Sequence, residues 1–219
     1  MKKPSEAFEA FYKASTLDPS NIEALTNLGA MLLNAQRPDD AIRYLKTALH
    51  YAMQPDTTAT MAGVIQIYSN LGKAYALRNG PGGPGEPTDM ESAYLMFENI
   101  IRMNPTNAEA FSNIGNLFRL MGAAEESVAA LRKAVELDPT SPEALRRLAW
   151  TLSTTWDAEQ LDGNAAVNFA SRANDITGDQ QATYLHTLAV ACARVGDFDR
   201  AIEAAQRAFD IADKGNNPT

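Results

Sequence analysis

One residue pattern recurs along this chain at an interval of 34 residues. It consists of a small residue, a large apolar residue four positions later, two more apolar residues at spacings of three, and then a proline. The pattern occurs three times, as Ala7, Phe11, Ala14, Leu17 and Pro19, as Ala93, Phe97, Ile100, Met103 and Pro105, and as Ser127, Leu131, Ala134, Leu137 and Pro139. The spacing of the apolar residues is that of an amphipathic helix. A repeat of this length predicts stacked helical units, each of which buries its apolar stripe against its neighbours.

Three glycines suggest a different interval. Gly29, Gly72 and Gly115 are spaced 43 residues apart, which is typical of HEAT and armadillo repeats. However, Gly115 and Ala149 are 34 residues apart, so nine extra residues at each of two places explain the longer interval. Because glycine inside a helix costs roughly 1 kcal/mol relative to alanine, the three glycines predict a close approach of two helices. Ala149 and Ala189 occupy the same slot in later units.

Together, the two helical patterns resemble the tetratricopeptide repeat (TPR). In that family the first helix of each unit carries a Leu-Gly pair between large residues, and the second carries A-x₃-F and a later proline. The matching first-helix residues are Leu25, Leu28, Gly29 and Leu32; Tyr68, Leu71, Gly72 and Tyr75; Phe111, Ile114, Gly115 and Phe118; Leu145, Leu148, Ala149 and Leu152; and Leu185, Leu188, Ala189 and Cys192. The resemblance implies an all-α, right-handed superhelical solenoid of antiparallel helix pairs with eleven helices.

We expect a single array over residues 1–219. Its parts are a half repeat with only a second helix (5–19), repeat 1 (22–54), repeat 2 (57–104, with a loop insertion at 79–87), repeat 3 (107–138), repeat 4 (142–177, with an insertion near 154–164) and repeat 5 (180–214). A capping-box signature, Thr88 to Glu91, predicts where the second helix of repeat 2 starts. The other insertion, at 53–64, is expected to lengthen the following first helix by two turns from Asp56. The uncapped ends indicate either a piece of a longer protein or self-association through an end.

Composition excludes several classes of function. The net charge of −8 and the pI of about 4.8 argue against binding to nucleic acids or anionic membranes. A single cysteine, Cys192, allows no internal disulfide and no cysteine-based metal site. The glycine-rich stretch 80–85 lacks a preceding strand and contains two prolines, so it predicts a loop and not a nucleotide site. We therefore expect no catalysis, cofactor or metal, and the absence of a signal peptide or membrane-spanning run favours the cytoplasm.

An asparagine lies two residues before the glycine in three first helices. These asparagines are Asn27, Asn70 and Asn113. The series is similar to the asparagine ladder of the O-GlcNAc transferase TPR superhelix, in which side-chain amides hold the backbone of an extended peptide. An amide suits this role because it both donates and accepts hydrogen bonds. The alternative is that Asn-Leu-Gly is a common TPR string whose amide packs against the next repeat.

Cationic side chains are expected on the same concave face. The candidates there are Lys73, Arg119, Arg146 and Arg147, together with Asn116 and Trp150. A basic, amide-rich groove suits a partner that is acidic or ends in a free carboxylate. Lys73, Asn113 and Arg147 are loosely similar in order to the carboxylate clamp of chaperone-binding TPR proteins. However, Ser69 and Glu143 occupy positions where that clamp has lysine, so the full clamp is absent.

The sequence thus predicts a scaffold that binds a partner protein or peptide in its concave groove. Two alternatives stay open at this point. The chain could be an assembly module that forms homo-oligomers through its uncapped ends. It could also be the regulatory TPR arm of a larger enzyme, such as a glycosyltransferase.

Overall fold

The structure is a computed structural model that describes residues 4–80, 82, 86–157, 161–178 and 180–216. Within those ranges it contains eleven α-helices and no strand, which confirms the expected all-α repeat fold. The helices are α1 (Pro4–Leu17), α2 (Ile22–Asn34), α3 (Pro38–Ala52), α4 (Met61–Arg78), α5 (Asp89–Met103), α6 (Ala108–Leu120), α7 (Ala124–Leu137), α8 (Pro142–Thr154), α9 (Gly163–Thr177), α10 (Ala182–Arg194) and α11 (Phe198–Asn216).

The chain divides into two compact units. Unit 1 is Met1–Pro105 and holds α1 to α5, and unit 2 is Thr106–Thr219 and holds α6 to α11. In unit 1, α2 packs on α3 and α4 on α5, and α1 contacts α2. In unit 2, the hairpins are α6 with α7, α8 with α9 and α10 with α11. First helices also contact the first helix of the following hairpin, α2 with α4 in unit 1, and α6 with α8 and α8 with α10 in unit 2.

The helical glycines lie where the two helices of a hairpin come close together. A Cβ atom added to Gly115 would lie 2.5 Å from Cγ of Leu131, and one added to Gly72 would lie 2.6 Å from Cε1 of Phe97. Both partner side chains are fully buried, and Gly29 meets a buried leucine in the same way. The close approach predicted from the sequence is therefore confirmed. The large residue of the second helix fills the space that each glycine leaves.

Repeat 4 divides the same volume differently. Ala149 stands in the glycine slot of α8, and the repeat register places Ala170 of α9 where Leu131 stands in α7. Both alanines are completely buried in one apolar core. The side chain at the crossing is thus split between the two helices here, whereas in repeat 3 it belongs entirely to the second helix.

The predicted capping box at α5 is confirmed, but the predicted start of α4 is wrong. Oγ1 of Thr88 accepts from the Glu91 backbone N–H at 3.3 Å, and the Glu91 carboxylate accepts from the Thr88 backbone N–H at 2.7 Å. Helix α4 begins at Met61 and not at Asp56, because the hydroxyl of Thr60 caps it by accepting from the Gly63 N–H at 3.1 Å. The insertion lengthens α4 by about one turn and leaves residues 53–60 outside any helix.

The base of the 79–87 loop is held by a buried carboxylate. Asp89 is 4% exposed and accepts hydrogen bonds from Nε of Arg78 at 2.8 Å and from the Gly80 backbone N–H at 2.6 Å. The hydrogen bonds from Arg78 lower the pKa of Asp89 against the opposing effect of its burial. Pro81 and residues 83–85 of this loop lie outside the described residues.

Candidate functional site

Five of the nine predicted site residues line one cavity in unit 2. The cavity has a volume of about 490 Å³ and is here called the arginine pocket. Its lining residues are Asn116, Arg119, Arg146, Arg147, Trp150, Ala182, Thr183, His186, Thr187 and Ala208. They come from α6, α8, α10 and α11. The repeat register is the physical reason for this grouping, because equivalent faces of successive first helices point the same way in a stack of similar hairpins.

A single carboxylate binds two of the three arginines of the pocket. Glu143 lies one turn before them on α8; its Oε1 accepts from Nη2 of Arg146 at 2.8 Å and from Nε of Arg147 at 2.7 Å. Its Oε2 accepts from Nε of Arg146 at 3.0 Å and from the hydroxyl of Tyr184 at 3.3 Å. Burial opposes the ionisation of Glu143, but the hydrogen bonds and charges of the two arginines outweigh it and lower the pKa of Glu143. The hydrogen bonds to Glu143 in turn raise the pKa of Arg146.

Arg147 also links two successive first helices. Its Nη1 donates to the backbone carbonyl of Ser112 at 3.0 Å, to the Ser112 hydroxyl at 3.2 Å and to Oδ1 of Asn113 at 2.9 Å. Asn113 is 6% exposed, and its Nδ2 has no hydrogen-bond partner among the residues that the structure describes. This asparagine therefore lies beneath the pocket surface, held between α6 and α8.

Arg119 is the arginine with the least compensation. Its guanidinium donates through Nε at 3.3 Å and Nη2 at 3.0 Å to Oδ1 of Asn116, its only hydrogen-bond acceptor in the described part of the chain. Burial and the positive charges of Arg147 and Arg146 lower the pKa of Arg119. Lowering of this kind leaves an arginine charged at neutral pH. Three guanidinium groups and one carboxylate thus give the pocket an excess of positive charge in a chain whose net charge is −8.

Aromatic rings form the opposite part of the lining. The rings of Trp150 and His186 are 5.6 Å apart between centroids and tilted by 34°. The sequence analysis did not include His186, Thr183 or Thr187 among the site residues. The register could have identified His186, since it lies three residues before the small residue of its helix, as Arg146 does in the preceding repeat.

The remaining predicted residues lie outside the arginine pocket. Asn27, Asn70 and Lys73 belong to unit 1. Asn27 lines a second cavity of about 500 Å³ with Gln66, and its Nδ2 donates to the carbonyl of Glu23 at 3.0 Å. The Nδ2 of Asn70 is buried without a hydrogen-bond partner in the described ranges, and Lys73 is exposed on α4.

Two kinds of feature were searched for and not found. Among the described residues, no group of three or more histidine, cysteine, aspartate or glutamate side chains could hold a metal ion. In the same part of the chain, no helix is both long enough and apolar enough to cross a bilayer.

Comparison with known proteins agrees with the repeat pattern. The tetratricopeptide repeat family matches residues 1–62 and again residues 108–141. BBSome complex member BBS4 of Bos taurus is 23% identical over 155 residues, which cover 71% of this chain and 26% of that protein. Protein CTR9 homolog of Arabidopsis thaliana is 23% identical over 217 residues, which cover 72% of this chain and 20% of that protein. The chain thus spans about a quarter or less of the curated relatives it matches.

Solved structures show the same fold at low sequence identity. In the crystal structure of the APC/C hetero-tetramer Cut9-Hcn1, the similar chain has a TM-score of 0.76 and 13% identity, with 97% of this chain and 38% of that chain covered. YrrB, described as a TPR protein with an unusual peptide-binding site, has a TM-score of 0.54 and 19% identity, with 93% of each chain covered. MamA has a TM-score of 0.56 and 22% identity, with 79% of this chain and 88% of that chain covered. With its repeat pattern, its helical hairpins and its two family matches, the chain belongs to the tetratricopeptide repeat proteins.

Proposed function

We propose that this protein is a scaffold without catalytic activity that binds a carboxylate-bearing segment of a partner protein in the arginine pocket. The carboxylate can belong to an acidic side chain or to the C-terminus of the partner. The observation that carries the proposal is the placement of Arg119, Arg146 and Arg147 around one cavity, where Glu143 compensates only two of them.

The physical case rests on partial burial. A charge-assisted hydrogen bond gains strength where water is scarce, and a planar guanidinium can bind both oxygens of a carboxylate at once. The side chains of Arg146 and Arg147 are only 25% and 19% exposed. Arg119 bonds to a neutral amide oxygen, so a carboxylate would give it a partner of opposite charge. The pocket is thus better suited to an anion than to a cation or a purely apolar ligand.

We infer that the asparagines hold the backbone of the same kind of partner. Asn27 lines a cavity of unit 1, and the buried Nδ2 groups of Asn70 and Asn113 have no acceptor among the described residues. A peptide carbonyl would supply that acceptor and remove the cost of an unpaired buried donor, about 1–3 kcal/mol each. Lys73, exposed on the same helix as Asn70, is proposed as an additional contact in unit 1.

The test uses fluorescein-labelled peptides with a Glu-Glu pair and, separately, Glu-free peptides that end in a free or an amidated carboxyl group. Anisotropy is measured with the native protein and with Arg119→Gln. We expect the variant to bind at least about tenfold more weakly, because a hydrogen bond to a charged group contributes about 1.5–3 kcal/mol. Arg132→Gln is the matched control, since it removes the same charge from the exposed face of α7.

Three results are informative. Loss of the Glu-Glu peptide alone assigns the pocket to acidic side chains, and loss of the free carboxyl peptide alone assigns it to a C-terminus. If Arg119→Gln and Arg132→Gln weaken binding equally, the effect is one of general charge and the pocket is not the site. Circular dichroism of each variant verifies that the helices are intact.

One observation favours the alternative of an assembly module. Helix α11 exposes large apolar side chains along one stripe, with Phe198 65%, Ile202 68% and Phe209 65% exposed. Exposed apolar stripes often mark interaction surfaces. Sedimentation equilibrium over a range of protein concentrations tests this function: a mass that rises with concentration, and falls to that of the monomer in Ile202→Glu, would support it.

A further inference from the structure

Arg119 lines a second, smaller cavity of unit 2. This cavity has a volume of about 180 Å³, and besides Arg119 it is lined by Gly122, Ala124, Thr151, Thr154, Thr155 and Trp156. We call it the tryptophan subsite. Since the side chain of Arg119 belongs to the walls of both cavities, a ligand bound to this guanidinium lies at the entrance to each of them.

The indole of Trp156 has no packing role that accounts for it. The residue lies just after α8, within the insertion of repeat 4, and it is 83% exposed. A hydrogen bond from the Asp157 backbone N–H to Oγ1 of Thr155, at 3.2 Å, fixes the backbone on both sides of it. Because nearly all of its large apolar surface faces solvent, covering that surface with a ligand would be favourable.

The cavity is suited to an apolar side chain. The hydroxyl of Thr151 donates to the carbonyl of Arg147 at 3.0 Å, and that of Thr154 donates to the carbonyl of Trp150 at 2.7 Å. Neither hydroxyl therefore has a proton to offer to a ligand. The volume of about 180 Å³ exceeds the roughly 150 Å³ of a protein cavity that accommodates benzene. There is thus room for one aromatic ring or one branched aliphatic side chain.

We propose that the tryptophan subsite receives an apolar side chain of the partner segment whose carboxylate is bound by Arg119. This proposal rests on the proposed function of the arginine pocket and specifies its ligand further: an acidic residue with a Phe, Leu or similar residue near it. Charge complementarity selects this occupant, since Arg119 bonds to no carboxylate among the described residues. The insertion of repeat 4 then has a role, which is to add an apolar subsite beside a cationic one.

The test compares two sets of labelled peptides that share a central Glu-Glu pair. In one set a single Phe is moved through the positions on both sides of the pair, and in the other set Ser replaces that Phe. Dissociation constants are measured for the native protein, for Trp156→Ala, and for Phe198→Ala as a control that removes an equally solvated aromatic ring of unit 2. Because Trp156 is so exposed, we expect its variant to keep its helical circular dichroism and thermal midpoint.

We expect the best Phe peptide to bind the native protein and Phe198→Ala about tenfold more tightly than its Ser counterpart. In Trp156→Ala this advantage disappears, and the Ser peptides bind as they do to the native protein. If Phe and Ser peptides bind alike, or if the Phe advantage survives in Trp156→Ala, the subsite is overturned while the carboxylate site stands. If no acidic peptide binds the native protein, both proposals fail together. A native dimer that Trp156→Ala dissociates would assign the subsite to a second copy of the chain and would also overturn the proposal.

Discussion

The crossing between α6 and α7 allows a stability prediction whose sign depends on the partner residue. Gly115→Ala removes a helical glycine, which by itself stabilises a helix by about 1 kcal/mol. The new Cβ, however, would lie 2.5 Å from Cγ of Leu131 and 3.1 Å from the carbonyl oxygen of Ser127. Leu131 is 0% exposed and has no empty space to move into. Overpacking of this kind costs about 1–3 kcal/mol, so we expect a net loss of about 1 kcal/mol.

Repeat 4 shows how the same substitution can become favourable. With Ala149 and Ala170 at its crossing, it has an alanine on both helices where repeat 3 has glycine and leucine. We therefore expect Leu131→Ala alone to lower the free energy of unfolding by about 2–5 kcal/mol through the cavity it leaves. In that background Gly115→Ala should raise the free energy of unfolding by about 1 kcal/mol, because the overlap is gone and the helix propensity remains.

The measurement is a double-mutant cycle from urea unfolding followed by circular dichroism, with slopes checked for constancy. The expected coupling between the two positions is about 2 kcal/mol, within the range found for residues in contact. The reasoning is refuted if Gly115→Ala stabilises the protein with Leu131 present, or if it shifts the midpoint by the same amount in both backgrounds.

Three further predictions concern charge and capping. Glu143→Gln leaves Arg147 and its neighbour without a carboxylate, so acidic peptides should bind several-fold more tightly by anisotropy, while the thermal midpoint falls by the equivalent of at most about 1 kcal/mol; weaker peptide binding would contradict this. The pKa of Asp89 is lowered in the folded protein, so its carboxylate stabilises the fold above its unfolded pKa of about 4, and this contribution is lost as the pH falls towards the lower folded value. Asp89→Asn should therefore flatten the acid side of the stability profile, and an unchanged profile would show that Arg78 does not stabilise the charged form. Thr88→Ala should cost about 1 kcal/mol in urea unfolding, whereas Thr88→Ser, which keeps the cap, should cost much less; equal losses would exclude the capping explanation.

Much of the fold could be predicted because each repeat reports its own register. The position of Gly115 relative to Leu131 fixes where two helices cross, and the Thr88 capping box fixes the start of α5. The start of α4 could not be predicted in this way, since the insertion has no counterpart in other repeats. Its helix begins at Thr60, where a hydroxyl caps the first turn, and the competing start at Asp56 has a similar local sequence signal.

The site was predictable to a similar degree. Equivalent positions on successive first helices bring Arg119 and Arg147 to one pocket, and the period alone implies this. The pairing of Glu143 with two arginines follows from spacings of three and four residues on one helix, but the sequence does not reveal that Tyr184 also bonds to it. The position of Trp156 depends on a loop conformation for which neither period nor helix geometry provides a rule.

The several hydrogen bonds of Arg147 have a mechanical consequence. Its Nη1 is bound to α6 and its Nε to Glu143, whereas its Nη2 makes no hydrogen bond among the described residues. An anion that binds to Nη2 leaves the other bonds in place and adds a further attachment across the α6–α8 step. Neighbouring hairpins in unit 2 thus act like the leaves of a sprung hinge, and cargo held at this guanidinium would make the spring stiffer.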